Sequence, residues 1–158
     1  MSSPSREELE RYLHAEIPLS RAMGVKVEES GPEAVRLSMP LSPNLNHRGG
    51  LFGGSGSALA ILTGWTLVHE RLLHEAGIDP HLVIQRSQME YLAPITTDVT
   101  AHASAPTTEA WDRFVRTYRR RGRARIQVLV ELSGAGKPAA RQIATFVALE
   151  RLDDGGEE

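Results

Sequence analysis

Residues 43–57 read Pro43-Asn-Leu-Asn-His-Arg-Gly-Gly-Leu-Phe-Gly-Gly-Ser-Gly-Ser57. The next eleven, Ala58-Leu-Ala-Ile-Leu-Thr-Gly-Trp-Thr-Leu-Val68, are almost continuously apolar. The first stretch is a loop, because Gly and Asn supply backbone freedom and local side-chain bonds that regular structure avoids. The second has apolar residues on nearly every side at helical spacing, and a helix that is apolar all round is a buried one. Its polar end, Glu70, Arg71, His74 and Glu75, is expected to emerge into water, with Gly77 as the C-cap. A Gly-rich loop opening a buried helix over 53–76 therefore sits at the centre of this fold.

Working outward, the flanks read mostly as strands. Val25 and Val27, a Ser30-Gly-Pro-Glu33 turn, then Val35, Leu37 and Met39 alternating with polar residues predict a hairpin. Ser5 and Glu8 form a capping box for a leading helix over 5–15, and Pro18 is expected to end it. After the Asp79-Pro80 turn, 82–92 and 98–104 are strand candidates. Trp111, Phe114, Val115 and Tyr118 mark a short helix between Pro106 and Gly122. Ala124, Ile126, Val128, Val130 and Leu132 alternate with polar or charged neighbours, 134–138 is a turn, and 142–149 is the last strand. Six strands around one buried helix make an α+β domain.

Composition narrows the class. The 158 residues fit one domain; 41% are hydrophobic and 24% charged, and the net charge is −2. That balance gives no footprint for nucleic acid. With no cysteine there is no disulfide, thiolate nucleophile or cysteine metal site. The start, Met1-Ser-Ser-Pro-Ser-Arg-Glu-Glu8, has no apolar signal region, so the expectation is a cytoplasmic protein without membrane insertion. The acidic residues 152–158 are read as a frayed tail.

Ile17-Pro-Leu19, the 43–55 loop, Leu62-Thr-Gly-Trp65 and Tyr91-Leu-Ala-Pro94 together resemble the YiiD C-terminal family of thioesterases, within the hot-dog superfamily. The resemblance runs over about residues 15–150. It implies an antiparallel sheet wrapped around the central helix. It also implies a homodimer with sheets joined edge to edge and sites at the subunit interface, acting on an acyl-CoA or acyl-ACP thioester.

The chemistry fits the loop. A helix start presents unpaired N–H groups and a positive dipole end. Gly53 and Gly54 let a ligand approach that backbone, so a thioester carbonyl seated there would be stabilised as it becomes an oxyanion, with Ser55 as a third donor. Similar thioesterases place an Asn six residues before the helix start, the spacing of Asn46 to Phe52. Asn46 is then expected to position water or the carbonyl, and His47 to act as general base. Asn44, Phe52, Thr63, Trp65 and Tyr91 are expected to line the substrate. No cofactor or metal is called for, apart from CoA as part of the substrate.

Two departures from the family pattern matter. Phe52-Gly-Gly stands where related enzymes often have His-Gly-Gly, and Leu59-Ala-Ile-Leu-Thr63 has no carboxylate where they often carry Asp or Glu. Glu90 and Asp98 are the acids that remain, and a non-catalytic acyl-thioester binding or regulatory module stays open as the alternative. His69 and His74 are five apart, about 140° around a helix, and read as a solvated helix end and not as a metal pair. Arg119, Arg120, Arg121, Arg123 and Arg125 read either as cations at a helix C-terminus or as a contact for CoA phosphates or an acidic carrier.

Overall fold

The structure, a computed structural model, describes residues 2–151. The reading of 152–158 as a frayed tail falls outside the described residues. Two short helices, α1 (Arg6–Glu16) and α2 (Pro18–Ala22), lead into a hairpin of β1 (Lys26–Ser30) and β2 (Ala34–Met39). The loop and α3 (Gly53–His74) follow. Then come β3 (His81–Tyr91), β4 (Val99–Ser104), α4 (Thr108–Arg121), β5 (Arg123–Gly134) and β6 (Lys137–Leu149). The six strands form one antiparallel sheet in the order β1-β2-β4-β5-β6-β3.

The sheet packs one face on α3. Even-numbered residues of β5, from Ala124 to Leu132, point inward and are buried, while Arg123, Arg125, Gln127, Leu129 and Glu131 face outward. On α3, Leu59, Ala60, Leu62, Leu67, Val68 and Leu72 are buried against them. Gly64 lets the helix lie close on the sheet, for a side chain there would press Phe146 and Val130 at 3.1–3.4 Å. Truncating one of the fully buried leucines to alanine would cost about 2–5 kcal/mol.

Local signals account for the element ends. Ser5 Oγ accepts the Glu8 N–H at 3.1 Å, and Glu8 accepts the Ser5 N–H at 3.1 Å, closing the capping box. Gly122 ends α4 in the left-handed region at φ 73°, and its N–H returns to the Tyr118 carbonyl. Pro18 departs from its expected part: it separates α1 from α2 but also opens α2 at the first helical position, where the missing N–H is not needed. β6 begins at Lys137, ahead of the expected Gln142. The turn shrinks to Ala135 and Gly136, both at positive φ, and Pro138 is carried at a register shift opposite Ser133. Among the described residues no helix is long and apolar enough to cross a membrane.

Candidate active site

The α3 start is built by the loop before it. Leu45 and Leu51 form a bridge, the Phe52 N–H returns to the Asn44 carbonyl at 2.8 Å, and the Asn46 N–H reaches the Gly50 carbonyl at 2.7 Å. Asn46 Oδ1 accepts the N–H groups of Arg48 (2.8 Å) and Gly50 (3.0 Å), and Nδ2 faces the Leu51 carbonyl at 3.4 Å. The Asn46 amide is thus turned into its own loop and fixes it.

Asn44 is deeper still. It is buried, and its amide nitrogen donates to the carbonyls of Met23 and Pro40 at 2.9 and 2.8 Å. In this chain it braces the loop instead of facing open space. Asp98 does similar work from outside, accepting the Leu41 N–H at 3.0 Å.

Among the described residues no side chain caps α3, and the bond that begins the helix runs from the Gly56 N–H to the Phe52 carbonyl at 3.2 Å. The N–H groups of Gly53, Gly54 and Ser55 have no acceptor among the described residues. Gly54 is exposed at this end. The Phe52 ring lies over it so closely that a Cβ on Gly54 would collide with the ring. On the other side Tyr91, at the end of β3, donates its hydroxyl to the Gly53 carbonyl. Partial burial of the Tyr91 ring pushes its pKa up, against a smaller opposite pull from a backbone hydrogen bond with Ser57. The phenol therefore stays protonated and remains a donor at neutral pH.

The expected residues divide into two groups. Phe52, Gly53, Gly54, Ser55 and Tyr91 come together around the helix start, with Asn46 beneath them. His47 is exposed on the loop, its Nε2 3.3 Å from Arg48 Nε. Thr63 is fully buried and bonded to the Leu59 carbonyl at 2.6 Å, so its hydroxyl faces the helix backbone. Trp65, about 18 Å along α3 from Gly53 at the helical rise, donates to the Leu82 carbonyl and stacks on His69.

Neither remaining acid reaches the helix start. Glu90 lies on the outer sheet face in an ion pair with Arg141, and Asp98 is held by Leu41. The ground beside the helix start is apolar and open: Leu45, Phe52, Tyr91 and Leu92 are each about half exposed. Cavities of about 390 to 610 Å³ lie elsewhere among the described residues.

Two features escaped the sequence reading. Of the polar far end of α3, Glu75 is exposed as expected, but α1 folds over the rest and leaves Glu70, Arg71 and His74 only partly exposed. His69 is buried between Trp65 and Tyr12. Glu70 lies 3.2 Å from His69 Nδ1 and 3.1 Å from His74 Nε2. The relevant spacing is Glu70 to His74, four residues and one helical face, which the five-residue separation of the histidines conceals. Among the described residues no group of three His, Asp or Glu is arranged to hold a metal. Gln142 is the second feature: it is buried in β6, with Nε2 donating to Ser87 Oγ at 2.8 Å and Oε1 lacking a partner among the described residues. Its mark in the sequence is that it falls in phase with Ala144, Phe146 and Ala148, the inward-facing residues of β6.

An antiparallel sheet laid around one long helix, with the helix start open and uncapped, is the hot-dog arrangement, and the thioesterases that share it define the class. Residues 6–150 match the YiiD C-terminal family, described as "putative thioesterase", and the chain belongs to that family. Solved structures agree on the fold. A protein of unknown function from Chlorobaculum tepidum TLS superposes with a TM-score of 0.87 at 24% identity, covering 94% of this chain and 99% of that one. One described as a "putative thioesterase" from Shewanella oneidensis gives 0.79 at 26% identity over 91% and 96%. A thioesterase from Haemophilus influenzae gives 0.75 at 16% identity over 98% and 97%.

Proposed function

We propose that this protein hydrolyses the thioester of an acyl-CoA or acyl-carrier substrate, with the carbonyl oxygen seated on the N–H groups of Gly53 and Gly54. The uncapped, exposed start of α3 carries this reading. Three backbone N–H groups at the positive end of a 22-residue helix have no acceptor among the described residues, and developing negative charge on the carbonyl oxygen is what they stabilise. Water adds to the carbonyl carbon, the C–S bond breaks, and the thiolate leaves and takes up a proton. His47 is the titratable group in the loop and is assigned as the base, with Asn46 holding the loop that carries it. Ser55 adds a third donor, and the exposed apolar surface of Phe52, Leu45 and Leu92 receives the acyl chain.

The site is assigned to a homodimer. β3 is an eleven-residue strand at the edge of the sheet, with Ile84 and Tyr91 exposed along it. Such edges are normally paired or covered, and a two-fold pairing of β3 with a second β3 joins the sheets and walls the open helix start. A non-catalytic acyl-thioester binding module is the second reading, supported by the lack of a carboxylate at the α3 start among the described residues.

The test is release of free thiol from a panel of acyl-CoAs, short to long, with His47→Ala and Asn46→Ala alongside. The chain itself contributes no thiol to the assay. Turnover that falls in His47→Ala while the protein stays folded supports the hydrolase. Saturable acyl-CoA binding without turnover at any chain length overturns it in favour of the binding module.

A further inference from the structure

β4 pairs with β5 along Leu129–Gly134, so residues 123–128 of β5 have β6 on one side and, among the described residues, no strand on the other. α4 returns along that open side. Between them lies a groove of about 580 Å³, into which α4 brings Arg113 and Arg121 and β5 brings Arg123 and Arg125. A neighbouring cavity of about 390 Å³ shares Gln85, Arg125 and Gln127 with the groove and adds Arg86 and Thr145. The two run together from α4 across the outer sheet face to β3.

The arginine cluster seen in the sequence is therefore split by the structure. Arg119 donates to the Ala76 carbonyl at 2.9 Å, and Arg120 lies with Arg116 beside Glu75 and Asp112 on another face of α4. Those cations suit a helix C-terminus. The groove arginines are a different set, gathered from three elements. Among the described residues no Asp or Glu lines either cavity. None of the five guanidinium groups makes an ion pair or hydrogen bond with a described residue. Four cations in the groove and Arg86 in the adjoining cavity, without an acidic partner among the described residues, repel one another and leave their donors to an outside anion, in a chain of net charge −2.

We propose that this groove binds a ligand carrying at least two phosphate groups, of the nucleoside diphosphate kind. Guanidinium forks match phosphate oxygens two at a time. Gln85, Gln127 and Thr145 add neutral polar groups, and Phe114 and Val147 give the groove an apolar wall. The site is separate from the start of α3. Leu132, which packs by Gly56, is seven residues along β5 from Arg125, roughly 23 Å at the strand rise. It stands whether or not the thioesterase reading does.

The experiment is calorimetric titration of the full chain with ADP and with inorganic pyrophosphate at fixed low salt. Saturable binding is expected, weakened about tenfold or more by Arg123→Ala/Arg125→Ala. Arg116→Ala/Arg120→Ala, which removes the same charge from the other face of α4, should leave it unchanged. Arg123→Lys/Arg125→Lys keeps the charge, loses the forks and should bind several-fold more weakly. No saturable binding of either probe, or equal weakening by the control pair, overturns the proposal. The source is then separated by KM for a CoA thioester and for a phosphate-free thioester. A rise for the CoA thioester alone assigns the groove to the substrate's own phosphates. Loss of ADP binding with both KM values unchanged assigns it to a free nucleotide.

Discussion

The hydroxyl of Tyr91 donates to the carbonyl of Gly53, tying the last residue of the edge strand β3 to the first residue of α3. The two lie 38 positions apart in the chain. Through this bond the strand that would meet a second copy also fixes the helix start that would hold the carbonyl.

Tyr91→Phe removes that bond and keeps the ring. A stability loss at the low end of about 0.5–1.5 kcal/mol is expected, since the site is open to water. The larger effect should be on turnover, because Gly53 loses its tether. Denaturant midpoints set against thioester hydrolysis separate the two. A variant with wild-type turnover would remove Tyr91 from any positioning role.

The same residue predicts a pH effect. Burial raises the pKa of Tyr91 above its ordinary 10.0, and burial likewise raises Tyr12 and Tyr118, helped by nearby carboxylates. Folding thus favours the protonated phenols. Their contribution is fully present below pH 10 and is lost as pH climbs through the raised folded values. Melting temperature should carry no tyrosine-linked slope from pH 7 to about 9 and should fall above about 10. Tyr91→Phe should lessen that fall without abolishing it, because Tyr12 and Tyr118 remain. An unaltered alkaline limb in the variant would contradict the burial of Tyr91.

Asn46 offers a cleaner separation of brace from catalyst. Its Oδ1 accepts two backbone N–H groups, and an aspartate can accept both. Asn46→Asp should keep the loop and most of the activity. Asn46→Ala should lose both, with a stability cost of about 1–2 kcal/mol. If Asn46→Asp is as inactive as Asn46→Ala yet fully stable, the amide nitrogen itself takes part in the chemistry.

What the sequence made legible was local. The capping box at Ser5 and Glu8, the alternation of β5, the buried helix after Gly53 and the end of α4 at Gly122 each depend on residues within a few positions, and each is found in the structure. Pairing across long distances was not legible. The burial of His69 depends on α1 crossing the far end of α3, and no pattern within α3 announces that contact. Pro138 hid the first third of β6, because a proline reads as a breaker unless the bulge opposite it is known. Around the site, the loop motif located the helix start, but Asn44 and Thr63 had the right residue types and the wrong direction. Which way a polar side chain faces is set by partners such as Met23 and Pro40 that spacing does not reveal.

Gly54 tests the helix start directly. A methyl group there collides with the Phe52 ring, whereas on Gly53 it would meet Tyr91 at an ordinary 3.6 Å. The exposed Phe52 ring can swing aside, so Gly54→Ala should change stability by less than about 1 kcal/mol, the helical gain of alanine offsetting the displacement. Hydrolysis should nonetheless fall much further than in Gly53→Ala, since the ring and the methyl both crowd the N–H groups. Adding Phe52→Ala to Gly54→Ala should recover part of the activity. Equal activities for the two single variants would mean that the carbonyl does not sit at this turn.

Gln142 carries the last prediction. Among the described residues its buried Oε1 has no partner, and its side-chain bond, to Ser87, runs toward the edge strand. A buried acceptor left unsatisfied costs about 1–3 kcal/mol, and an apolar side chain of similar length does not incur that cost. In the isolated chain Gln142→Met should therefore be neutral to stabilising by about 1 kcal/mol, while Gln142→Glu should be strongly destabilised by a buried charge. The measurement is the denaturant midpoint at several protein concentrations. If Gln142→Met is instead destabilising, and more so where wild-type chains associate, Oε1 has found its partner across the β3 edge. The buried glutamine would then be part of the dimer seam.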